Sequence, residues 1–255
     1  MKIRPAIPVF LVLLLLTPFA LRAQKHGVLN QPEYDERPYH FGFLLAINQM
    51  NFTVKTNEGL SNVLYTTQQA PDIYSDSARL LGIEANPSLG FTIGIVSNLR
   101  LAKYADLRFV PSLSFGERQI EYSTQNYSAG ESNQIKLRKS IQTSYIELPF
   151  LIKYKAKRIN NVRPYIIGGV DYTIDLATQK KKKDNPNNVQ VDIVRNDVHG
   201  ILGTGFDFYN YWFKLGIELK MAYGFNDIIK RENNIYTEGI DKLSSKMFQI
   251  SFTFE

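Results

Sequence analysis

The 255 residues contain no cysteine. Disulfide frameworks, thiolate zinc sites, cysteine nucleophiles and redox pairs are all excluded together. Histidine is scarce, with only His26, His40 and His199, and Trp212 is the sole tryptophan. No zinc-protease histidine pair and no calcium-loop spacing occurs. No phosphate loop appears, and Gly203-Thr204-Gly205 lacks the third glycine of a dinucleotide fingerprint. Charge of one sign is also in short supply. The chain has 30 Lys+Arg against 24 Asp+Glu, formally +6. Lys2, Arg4 and Arg22 fall in a segment read below as removed, which leaves +3. That is weak support for an anionic partner, and the basic residues do not cluster as a nucleic-acid groove. After Ala23 no run of about 18 apolar residues exists, so a spanning helix is excluded.

What the chain does have is aromatic residues, 16 Phe and 15 Tyr, with 21% charged residues, far from a disordered composition. The N-terminus reads as an export signal. Met1–Arg4 is short and positive, Ala6–Leu16 is apolar, and Ala20-Leu21-Arg22-Ala23 offers a small residue before Gln24. The apolar run is too short to span and Pro8 interrupts it. Residues 1–23 are therefore expected to be a cleaved signal peptide. The polar stretch 24–39, with Pro32 and Pro38, is expected to be a periplasmic lead-in. Residues 40–255 remain as the folded domain.

That domain carries eight segments with a period of two, each about ten residues long, the length of a tilted membrane strand. Ile146, Leu148, Phe150, Ile152 and Tyr154 take one face, and Glu147, Pro149, Leu151, Lys153 and Lys155 the other. Ile166, Gly168, Val170, Tyr172, Ile174 and Leu176 oppose Tyr165, Asp171, Thr173 and Asp175. Tyr211 to Tyr223 alternates in the same way against Trp212, Lys214, Glu218 and Lys220. Phe248, Ile250, Phe252 and Phe254 alternate with Gln249, Ser251, Thr253 and Glu255. Further rows begin at Phe41, Leu89 and Leu107, and a weaker one at Val198, where Ile201 violates the pattern. Successive strand side chains point to opposite faces, so each segment has an apolar and a polar side.

The connections, at about 55–87, 99–104, 123–140, 156–162, 177–196, 209–210 and 224–242, alternate long and short. Short periplasmic turns and long outer loops are the asymmetry of an outer-membrane barrel, and nothing in a soluble sandwich segregates its long loops to one end. The fold expected is all-β, an eight-stranded antiparallel up-and-down transmembrane barrel. The run Lys180–Lys183 in one long connection reads as a solvated loop. Tyr104, Tyr154, Tyr165, Tyr209, Tyr211 and Trp212 beside the short turns suggest an aromatic girdle.

If the apolar rows face lipid, the lumen holds Arg108, Arg118, Lys153, Lys214 and Lys220 against Glu147, Asp171, Asp175, Asp207 and Glu218. An eight-stranded barrel is just wide enough to be filled by side chains, and charges inside it must pair. Asp197 and His199 share a face, the only pattern with any catalytic potential, and an ordinary lumen histidine explains them as well.

Several stretches carry a family resemblance. They are YDERPYHFGF at 34–43, GFTIGIVSNLRL at 90–101, LRFVPSLSF at 107–115, YIELPFLIKYK at 145–155 and RPYIIGGVDY at 163–172. Together they resemble the PorT family, outer-membrane barrels of the type IX (Por) secretion system, over about 34–255. The resemblance implies a role in exporting proteases and adhesins that bear a C-terminal sorting signal. It implies other type IX components and outer-membrane lipid as partners, and it brings no catalytic residues. No catalytic, cofactor-binding or metal residue is expected, nor any nucleic-acid or small-molecule substrate. The alternatives are an OmpA/OmpX-like structural or adhesive barrel, and a lipid-modifying outer-membrane enzyme with His199 as its one candidate.

Overall fold

The structure, a computed structural model, describes residues 28–66, 68–69, 73, 75–177, 191–232 and 234–255. The segment read as a signal peptide, His26 and the Lys180–Lys183 run lie outside the described residues. Eleven strand segments form one antiparallel sheet. They are β1 (Tyr39–Thr56), β2 (Leu64–Thr66), β3 (Ser77–Asn86), β4 (Ser88–Arg100), β5 (Ala105–Phe109) and β6 (Ser112–Ser128). The rest are β7 (Glu131–Lys155), β8 (Val162–Asp175), β9 (Asn196–Tyr209), β10 (Lys214–Gly224) and β11 (Ile240–Phe254).

Eleven segments make eight walls. Only Pro87 separates β3 from β4, and both pair with β6. Val110 and Pro111 separate β5 from β6, and both pair with β7. Proline donates no hydrogen bond, so it interrupts a ladder without ending the wall. The circuit runs β1, β3/β4, β5/β6, β7, β8, β9, β10 and β11. It closes where β11 pairs with β1, from Phe43↔Phe254 to Thr56↔Ile240. β2 is extra and pairs only with β3. The eight-stranded up-and-down barrel expected from the alternation is the fold observed.

The phase of every strand also agrees. Phe41 and Phe43 are each 68% exposed and Leu89 and Leu202 each 72%, whereas Arg108, Lys153 and Asp207 are 0%. A surface this apolar on an isolated chain is a lipid-facing band. Ile201 obeys the alternation after all. It points inward and packs against a small cluster of Leu151, Tyr165 and Ile167.

Four expectations need correction. The connection 55–87 is not a loop throughout, because it contains β2 and β3. Likewise 123–140 is mostly hairpin, since β6 and β7 continue past the barrel to a two-residue turn. Ala129 (φ 50) and Gly130 (φ 88) both take positive φ there, as a tight hairpin with the twist of its strands requires. Finally, the girdle is smaller than expected. Tyr104, Tyr154, Tyr211 and Trp212 are exposed at the turn end, but Tyr165 and Tyr209 are buried. Both are lumen residues by phase, and a buried phenol needs a hydrogen-bond partner that lipid cannot give. Trp212, placed on the lumen row by simple alternation, lies in the 210–213 turn and is 85% exposed.

The lipid-facing assignment is tested by charge. Phe150→Arg is expected to cost about 2–4 kcal/mol in a folding titration in lipid, as an arginine near the midplane should. Gln142→Arg, on the same strand and the same face but beyond the apolar band, is expected to cost about 0–1 kcal/mol. Equal costs would place the band elsewhere.

Candidate functional site

The most concentrated chemistry in this chain lies inside the barrel. Near the short turns, β5, β10 and β11 contribute Arg108, Glu218 and Glu255. Arg108 bonds Glu218, and its other terminal nitrogen is 3.1 Å from Glu255. Lys214 reaches Glu255 at 2.9 Å, and Asn98 donates to the same carboxylate. Tyr165 donates to Glu218 at 2.8 Å, and Lys220 stands 3.3 Å from it. Lys153 holds both oxygens of Asp207 at 2.9 and 2.8 Å and lies 3.7 Å over the Tyr165 ring. Lys155 pairs with Asp106 at 2.7 Å. Glu218 and Glu255 are each shared between two cations, and Asp207 and Asp106 each pair with one lysine, the arrangement that makes buried charge tolerable.

All ten charged residues assigned to the lumen from the alternation are buried. Asp106 and Arg163 belong with them; the alternation through Arg108 and Tyr165 was the signal for both.

Toward the long loops, Arg118 bonds Tyr145, reaches Ser245 at 2.9 Å, and stacks 4.2 Å over Phe52. His199 lies between two carboxylates, with Nε2 3.0 Å from Asp197 and Nδ1 3.6 Å from Asp171. Asp197 shares the face of His199 as expected. Asp171, placed in the lumen by the alternation, was not foreseen as a neighbour of His199, because that contact comes from strand pairing, in which the two are directly opposite. Each ring nitrogen faces a carboxylate, and the ring is buried. Among the described residues no group of three or more His, Asp or Glu is arranged to hold a metal.

Beyond this layer the outer mouth is closed by an apolar cap. Tyr65, Leu80, Ile120, Tyr122, Ile193 and Ile235 are among the buried residues of one cluster that spans β2, β3, β6, the 191–195 segment and a short helix, α1 (Ile235–Glu238). Asn234 caps α1, accepting from the backbone of Tyr236 and Thr237. Ile193 bridges to Ile229, so two long connections pair with each other. These connections were read as hydrophilic loops. In sequence their apolar residues have no regular period, so the core they form could not be seen.

The inner mouth is closed by residues 28–38, the described part of the lead-in. Asn30 donates to Asn161 and to the Tyr209 carbonyl, both at 2.9 Å, and Gln31 donates to the Asn210 carbonyl at 3.0 Å. Arg158 binds the strap carbonyl of Asn30 and stacks 3.6 Å over Tyr209. Asp35 accepts from Tyr209 and pairs with Arg163, each at 2.8 Å. Tyr34 stacks on His40 at 4.1 Å beneath the Lys214 ammonium, 4.6 Å from its ring. The YDERPYHFGF segment is therefore a strap that docks on the lumen network and then enters β1.

Residues 23–230 match the family described as "Outer membrane protein beta-barrel domain", and the chain belongs to that family. It is an outer-membrane β-barrel protein. No curated protein sequence matches the chain. Among solved structures it is similar to the outer membrane protein OprG from Pseudomonas aeruginosa, with 12% identity, covering 84% of this chain and 95% of that one, at a TM-score of 0.37.

Two tests follow from the geometry. Glu218→Ala strands Lys220 and leaves Arg108 only Glu255, and is expected to cost roughly 3–5 kcal/mol of folding stability in lipid. Lys55→Ala breaks the exposed 2.7 Å pair with Asp241 and is expected to leave the same titration unchanged. The strap gives a pH prediction. Burial acts to raise the Asp35 carboxyl, but the Tyr209 hydrogen bond and the Arg163 guanidinium outweigh it and hold the group below its ordinary 3.8. A depressed acid stabilises the folded state above its unfolded value, and that stability is lost as pH falls through the folded value. Hydrogen exchange in 28–38 is expected to accelerate only below about pH 3.8. Asp35→Asn should give the accelerated exchange at neutral pH.

Proposed function

We propose that this barrel supports type IX (Por) protein secretion through contacts with other secretion components, without chemistry of its own. The closure of the barrel at both mouths carries the reading. A lumen filled by paired charges, capped outside and strapped inside, leaves only outer faces to work with. The resemblance to the PorT family supplies the direction, and one of its stretches, Tyr34 to Phe43, runs from the strap at the periplasmic face into β1. The reading without chemistry is supported by the burial of His199 between Asp171 and Asp197.

A structural or adhesive OmpA/OmpX-like barrel is favoured equally by the family match and by the filled eight-stranded lumen. A clean deletion separates the two. Loss of the gene should leave unprocessed cargo in the periplasm and abolish surface protease activity. The His199→Ala variant should restore export. Variants of the exposed strap residues Glu33, Glu36 and Arg37 should impair it while the barrel stays folded. Shortening 55–87 is unsuitable as a test, since Tyr65, Leu80 and Ile83 belong to the cap core. Normal cargo at the surface of the deletion strain would return the protein to the structural reading.

A further inference from the structure

The lipid-facing wall is not uniform. A groove of about 770 Å³ is cut into it across β1, β4, β6 and β7. Its sides are outward residues of the apolar rows, Phe43, Leu45, Ile93, Ile95, Leu113 and Ile146. Its floor lies at Gly94, Pro111 and Ser112, and it reaches Leu44, a residue of the lumen row.

The wall dips here for a reason legible in the chain. Pro111 and Pro149 remove two backbone donors from adjacent strands, and the β5 and β6 ladders break between Phe109 and Ser112. The break is held by Ile95 N–H donating to the Pro111 carbonyl at 3.0 Å. Gly94 lets the kinked segment approach, because a Cβ there would lie 2.7 Å from the Cβ of Ser112. A side chain at 94 would push the kinked segment away.

We propose that this groove is a binding site for one acyl chain of a membrane phospholipid, held as a resident lipid. The groove is continuous with the lipid-facing band on every side, so hydrocarbon is what reaches it. No ionisable side chain lines it. The one hydroxyl on its floor, Ser112, is already turned inward to Glu147 at 3.2 Å, so the site offers nothing to a headgroup. Its volume falls in the roughly 300–1,000 Å³ of sites that enclose small ligands. The chain lies against the interruption of the wall at Val110 and Pro111, and its occupancy covers that break.

The test uses the full barrel folded into vesicles of phosphatidylethanolamine and phosphatidylglycerol, then transferred to detergent for native mass spectrometry. The wild type is expected to carry one phospholipid. Leu202→Trp, on the far wall, should carry it equally. Leu113→Trp fills the groove and should lower occupancy at least tenfold. Heat-modifiable gel migration checks that each variant is folded, and Ile93→Trp fills the same groove if Leu113→Trp is not. A wild type free of phospholipid, or a folded groove-filled variant that retains as much as the wild type, overturns the proposal.

Discussion

The pairing of β1 with β11 is the contact on which everything else in this molecule rests. It joins the first and last walls, from Phe43↔Phe254 to Thr56↔Ile240, and leaves the barrel without an open edge in the apolar band. Within hydrocarbon no water can satisfy a free N–H or C=O, so a sheet survives there only if it closes on itself. Closure at eight walls then fixes the lumen's width, and the width dictates its contents. Side chains meet across it, so the charges on the inner rows must find one another. Arg108 of β5 meets Glu218 of β10 and Glu255 after β11, residues 110 and 147 positions away in sequence.

The same narrowness shapes both ends. At the inner mouth the charge network presents Lys214, Glu255 and Arg163, and the strap answers with an aromatic ring and a carboxylate. Tyr34 and Asp35 are engaged by residues that already serve the lumen, so the strap extends the network and adds no separate site. At the outer mouth the walls run on past the membrane, and the inner face of the projecting β6–β7 hairpin turns apolar. Ile120, Tyr122 and Ile141 are covered by Tyr236 and the 191–195 segment. Tyr122 donates to the Tyr236 carbonyl at 3.1 Å, which ties the hairpin to α1. The cap is a small hydrophobic core of soluble type, built on a membrane scaffold.

The interior of this barrel thus reads as structure, and its outer surface as the part available for work. The lumen charges are engaged with one another and with the strap. What they leave is a strap at the periplasmic face, a polar hairpin outside, and a lipid-facing wall grooved at Pro111.

The sequence alone determined the walls. A period of two over Ile146–Tyr154 or Phe248–Phe254 is a strand with one apolar and one polar face, so the eight walls, their phase and the charged contents of the lumen could be read directly. The alternation of long and short connections oriented the barrel. Only the tertiary structure decided the partners. Periodicity says which way Asp171, Lys153 and Glu218 point, and it carries no information about which residue arrives opposite. That depends on register and shear summed around the circuit. The cap was hidden for the same reason. Tyr65, Ile193, Ile229 and Tyr236 sit in irregular segments with no repeat to betray a buried face, and they form a core only because closure brings their segments to one mouth. The groove is the mixed case. Pro111 was visible in LRFVPSLSF, but its neighbours Gly94 and Ile146 come from other walls, and a dent in a surface exists only once the surface is built.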